Sequence, residues 1–145
     1  MLALVVLAAA LQALAMIFDE GHFHASRALP RWERLGHPLD TASVAVCYAW
    51  LALAPRATAS LEVYAGLGAL SCLLVTKDEF VHARLCAPAE HWLHAVLFVL
   101  HPIVLAGFGW AWWTGHATLV HAQLALTLAF GAYQLVRWNF KKVAA

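Results

Sequence analysis

The chain has 145 residues, of which 63% are hydrophobic and 12% charged, with a formal net charge of +1. A soluble domain runs nearer half apolar and a quarter charged, so this composition excludes an ordinary water-soluble globule and makes lipid the expected solvent. The small net charge, with no basic stripe interleaved with aromatics, argues against a nucleic-acid partner.

Five apolar stretches follow in chain order: Leu2–Phe18, Leu39–Ala54, Leu61–Thr76, Leu93–Trp113 and Thr118–Trp138. The first resembles a signal-peptide core with Ala13-Leu14-Ala15 as a cleavage site. It has no Lys or Arg before the apolar run, which favours a retained membrane helix. The second and third are short for a span and are expected to recruit flanking polar residues. The fold class is all-α: an integral membrane helical bundle of about five transmembrane helices in a single membrane domain, residues 1–145.

The loops divide between two sides. Eight of the nine Lys and Arg fall on the side holding residues 19–38, 77–92 and the C-terminal tail: Arg27, Arg31, Arg34, Lys77, Arg84, Arg137, Lys141 and Lys142. Only Arg56 falls on the other. The positive-inside rule makes the first side cytoplasmic, with the N-terminus outside and the C-terminus inside, in a bacterial inner membrane. Trp110, Trp112, Trp113 and Trp138 are expected as interface anchors.

An internal repeat stands out. Residues 20–37 read EGHFHASRALPRWERLGH and residues 78–94 read DEFVHARLCAPAEHWLH. Aligned with a net gap of one residue, Glu20, His24, Arg27, Pro30, Glu33 and His37 match Asp78, His82, Arg84, Pro88, Glu90 and His94. Each set bridges an inward-running helix and the one that returns. Helices one–two and three–four therefore form a parallel internal repeat (repeat A about 1–54, repeat B about 61–113), with an extra helix at about 118–138.

Residues at i and i+4 share a helix face, so Glu20 with His24, Glu33 with His37, Asp78 with His82 and Glu90 with His94 can each point together. Pro30 and Pro88 suit the first turn of a returning helix. Gly36 and Pro38 are expected to break the second helix near His37. Glu79 and His82 add a Glu-x-x-His pair, a spacing used in di-iron bundles. The expected metal ligands are thus Glu20, His24, Glu33, His37, Asp78, Glu79, His82, Glu90 and His94. Asp19, His22, His91 and His101 stand as outer partners or substrate-pocket residues. Carboxylate with imidazole suits iron first, then manganese or zinc. The three separated cysteines, Cys47, Cys72 and Cys86, include no CxxC pair and read as small buried hydrophobes.

These residues point to a membrane-embedded di-metal oxidoreductase that hydroxylates or desaturates a lipid-soluble substrate at the cytoplasmic face. No flavin or nicotinamide fingerprint occurs, so electrons would come from a separate donor protein. The general plan is similar to that of histidine-rich membrane hydroxylases and desaturases. The doubled-histidine boxes of those enzymes are missing, the nearest pieces being His22-Phe23-His24 and His91-Trp92-Leu93-His94, and the chain is not assigned to that family. Two other classes remain open: a metal-independent acid–base enzyme such as an isomerase or cyclase, and a transporter or accessory subunit of a membrane complex. Oligomerisation is open too, because Gly66, Gly68, Gly107 and Gly109 suit contacts within or between chains.

Overall fold

The computed structural model describes residues 1–26 and 29–140, with the side chains of all of these except Asp78 and Val81. Arg27, Lys141 and Lys142 lie outside the described residues, as does the Asp78 side chain. The chain is helical, with no strand among the described residues.

The long helices are α1 (Leu2–Phe18), α2 (Arg31–Leu53), α3 (Thr58–Val75), α5 (Pro88–Trp113) and α6 (Ala117–Asn139). A short α4 (Glu79–Leu85) lies between α3 and α5. Four segments are long and apolar enough to cross a membrane: Leu2–Ser26, Thr58–Val75, Pro88–Trp113 and Ala117–Asn139. Together they make a helical membrane bundle. On α1 only Val5 is buried, while Leu4, Leu7, Leu11, Leu14 and Ile17 are exposed. A helix apolar on every side yet barely covered needs an apolar solvent.

The second stretch gains its length at its N-terminal end, where α2 continues back through His37 and Glu33 to Arg31. The expected break near His37 does not occur, and Pro38 lies inside the helix. Proline lacks the N–H that would reach the carbonyl four residues back, that of Arg34. The Asn139 carboxamide of α6 donates to that carbonyl at 3.0 Å. A tertiary contact thus satisfies the group that the proline strands.

Round the bundle the helices follow the order α1, α5, α3, α2, α6, with α6 most extensively packed on α2. The apolar core sits in the half away from α4 and includes Val5, Tyr48, Leu51, Tyr64, Val104, Phe108, Trp112 and Val120. Tyr48 and Phe108 meet edge to face at 5.0 Å between centroids. The Tyr64 hydroxyl donates to the Leu105 carbonyl at 2.7 Å. A Cβ at Gly109 would lie 2.8 Å from the Tyr64 ring, and one at Gly107 would lie 3.1 Å from Val5. Both glycines therefore serve packing within the chain, whereas Gly66 has open space around it. Of the tryptophans expected as anchors, Trp113 is exposed and Trp110 half-buried, but Trp112 and Trp138 are buried. Trp112 is a core residue, and Trp138 has a polar partner described below.

Candidate metal centre

Opposite the apolar core, four chain segments converge. α1 passes directly into a π-helical turn, Asp19–Phe23, in which the His24 N–H bonds back to the Asp19 carbonyl five residues earlier. This wider turn lets Asp19 and Glu20 both face inward, and His24 follows with no exposed surface.

The α2 and α5 starts place two more pairs. Pro30 is the N-cap of α2, so Glu33 is its third helical residue. Pro88 is itself the first residue of α5, which makes Glu90 the third. The one-residue gap between the two segments is absorbed before the helices begin. Glu33–His37 and Glu90–His94 then occupy equivalent turns. A carboxylate in a first turn also meets the positive end of the helix dipole. Finally, α4 carries His82, and Cys86 continues its turn through an N–H bond to the His82 carbonyl at 2.9 Å.

The buried groups meet in one cluster. His24 Nε2 lies 3.4 Å from Asp19 Oδ2 and 3.7 Å from Glu90 Oε1, while its Nδ1 lies 3.7 Å from Glu20 Oε2. His94 Nε2 lies 3.2 Å from Asp19 Oδ1. The four imidazoles form a closed quadrilateral. Its centroid separations are 4.6 Å (His24–His37), 6.1 Å (His37–His82), 4.4 Å (His82–His94) and 6.3 Å (His94–His24). Exchanging the two repeated segments carries each side onto its counterpart within a few tenths of an ångström.

Three sets of side chains offer ligand atoms within 4.8 Å of one another: Asp19, His24, Glu90 and His94; His24, Glu33 and His37; and His82, Cys86 and His94. These groups could hold metal. The donor set fits one: oxygen and nitrogen donors dominate, and Asp19, Glu33 and Glu90 are at most 5% exposed. Adjacent buried carboxylates are costly without a cation. The buried His94 Nδ1 also has no hydrogen-bond partner among the described residues.

The other expected residues fall elsewhere. Glu20 is buried beside the cluster, but its oxygens accept hydrogen bonds from Gln134 Nε2 at 2.5 Å and Trp138 Nε1 at 2.6 Å. Gln134 in turn accepts from Thr41 Oγ1 at 2.6 Å. Glu20 thus lies beside His24, with Oε2 3.7 Å from its Nδ1, and is in none of the three sets that bring ligand atoms together. Glu79 points to the rim, 47% exposed, with Oε1 3.8 Å from His91 Nδ1. Glu79 is the first residue of α4, directly after a 3-10 turn, and its side chain lies at the rim while His82, one turn later, is buried. His22 is exposed and stacks on Phe18 at 5.0 Å. It is no partner of the cluster, because the π turn directs Asp19, Glu20 and His24 inward instead. His91 sits at the edge, with Nε2 bonded to the His82 carbonyl at 2.7 Å, and steadies α4. His101 lies deeper in the bundle, away from the cluster.

The sequence reading missed Cys86, Gln134 and Trp138. Cys86 follows His82 at i+4, the spacing that flagged the other pairs, so the signal was present. Nothing in the sequence links Gln134 or Trp138 to Glu20, more than a hundred residues away.

A cavity of about 340 Å³ runs from the cluster into the bundle. His37, His82 and His94 line its inner end, and α1 and α6 supply opposite walls. Ile17 and Leu126, which line it, are also exposed on the outer surface, so it opens sideways between α1 and α6. No family model matches the chain, and no similarity to a curated protein or a solved structure is found.

Proposed function

We propose that this protein is a membrane-embedded oxidoreductase that holds two metal ions, iron in the first instance, and hydroxylates or desaturates a lipid-soluble substrate. The observation that carries the reading is a buried histidine–carboxylate cluster heading a cavity that opens sideways among apolar helices. His24, Glu33 and His37 would hold one ion. Asp19, Glu90 and His94, with His82 beside them, would hold the other. The two sets come from the two repeated segments, which fits a duplicated helix pair with one ion drawn mainly from each copy.

Iron in such a set supplies oxygen activation. With two electrons from a separate donor protein and two protons, dioxygen would yield one water on hydroxylation of a C–H bond, or two waters on desaturation of a CH–CH unit. The chain's own residues bind and orient. Glu20, fixed by Gln134 and Trp138, holds the His24 ring by its far nitrogen, as carboxylates behind metal-bound histidines commonly do. The cavity walls admit an apolar chain from the bilayer and keep bulk water from the cluster. Arg31, Arg34, Lys77, Arg84 and Arg137 lie at the cluster end of the bundle and Arg56 at the other, a bias that supports a cytoplasmic cluster by the positive-inside rule.

The test is metal content by plasma mass spectrometry on detergent-purified protein, wild type beside His24→Ala and His94→Ala. The expected result is about two irons per wild-type chain, as in other carboxylate–histidine bundles, with at least half lost in each variant. Metal-free wild type, with both variants still folded, would sink the reading and leave acid–base catalysis by the same carboxylates and imidazoles.

A further inference from the structure

His101 is seven residues beyond His94 on α5, roughly 10 Å deeper at the helical rise. It is part of a hydrogen-bonded chain that crosses the bundle. Ser43 Oγ donates to the Asp40 carbonyl at 2.7 Å and lies 2.7 Å from Ser71 Oγ. Since the Ser43 proton is committed, Ser71 donates to Ser43 and accepts from His101 Nε2 at 3.1 Å. His101 Nδ1 is then a lone pair, and it accepts from the Gln12 carboxamide N–H at 3.3 Å. The chain thus fixes which way the Gln12 amide faces. Its oxygen and its second N–H make no hydrogen bond with any described residue, and Gln12 lines the cavity.

An amide dipole held at this depth, in a cavity open to lipid rather than to water, is costly unless something pairs with it. It offers one acceptor and one donor and carries no charge. An uncharged hydroxyl or carbonyl matches it, whereas a carboxylate or an ammonium would find no counter-charge in Gln12 or His101. We propose that Gln12 is the recognition residue for the oxygen of a long-chain or isoprenoid alcohol or carbonyl compound bound in the cavity. This deepens the functional reading above and rests on it. With the oxygen on Gln12, the carbon presented to the cluster lies roughly 10 Å away, seven residues of helical rise. The reaction therefore falls on a carbon remote from the existing oxygen.

The experiment is photo-crosslinking with two probes, a long-chain alcohol bearing a diazirine at its alkyl end and the same molecule without the hydroxyl. Labelled peptides from α1 and α6 are quantified in wild type and Gln12→Leu, and metal is measured in the same samples. The expected result is about tenfold stronger labelling by the alcohol in wild type, one hydrogen bond's discrimination. Gln12→Leu is expected to bring the two probes to parity with metal content unchanged. Equal labelling in wild type, or a preference that survives in Gln12→Leu, overturns the inference. A preference seen in a protein that binds no metal overturns the oxidoreductase reading alone.

Discussion

At the scale of single residues, position relative to neighbours decides the role. Glu20 and Asp19 are adjacent acids at the end of α1, yet only Asp19 reaches two imidazoles, because Gln134 and Trp138 occupy Glu20. Gly109 is a comparable case in the apolar half. Tyr64 is buried and pinned through its hydroxyl, so it cannot swing away from a new Cβ only 2.8 Å from its ring. Gly109→Ala is expected to destabilise the protein by about 1–3 kcal/mol through overpacking. The check is a lowered apparent melting temperature in detergent, with Gly66→Ala, which has open space, as the unaffected comparison. The i, i+4 carboxylate–histidine pairs were legible in the sequence because both partners sit in one helix. The Glu20 partners were not, since a hydrogen bond between α1 and α6 leaves no local spacing to read.

At the scale of elements, the informative helix is α2. Read locally, Pro38 ends it. In the folded chain Asn139 takes over the stranded Arg34 carbonyl, and the helix carries Glu33 and His37 to the cluster without interruption. The two residues should therefore be energetically coupled. Asn139→Ala is expected to cost about 1 kcal/mol in the native background. In a Pro38→Ala background, where the helix can satisfy Arg34 itself, the cost should fall toward zero. A double-mutant cycle on unfolding in detergent measures this coupling, and equal costs in both backgrounds would refute the proline-repair account. The same logic covers the helix starts. The proline positions announced returning helices, but whether Pro30 or Arg31 opens α2 decided the register that matches Glu33 to Glu90.

For the whole molecule, the burial pattern is inverted between the two ends. One end closes over Tyr48, Tyr64, Phe108 and Trp112, while the other buries carboxylates and imidazoles around a cavity. If ions occupy that end, they tie α1, α2, α4 and α5 together. Chelation should then lower the apparent melting temperature and added iron should restore it. A site occupied at a hundredfold above its dissociation constant contributes about 2.7 kcal/mol by mass action. A thermal scan with and without chelator reads this directly, and an unchanged curve on metal-loaded protein would show that the cluster does not brace the bundle.

The sequence by itself determined that the chain is a lipid-embedded helical bundle, that its helices number about five, and that acids and histidines gather at one end. Composition, apolar run length and i, i+4 spacing are local properties, and a membrane solvent leaves helices as the means of satisfying the backbone. Only the tertiary structure decided which of those acids enter the cluster, that Cys86 joins it while Glu79 and His22 stay outside, and that Pro38 leaves α2 whole. It also decided that Gln12 faces a cavity with its amide fixed by His101. Each of these depends on how one helix is rotated against another, and that rotation is set by contacts between residues far apart in the chain.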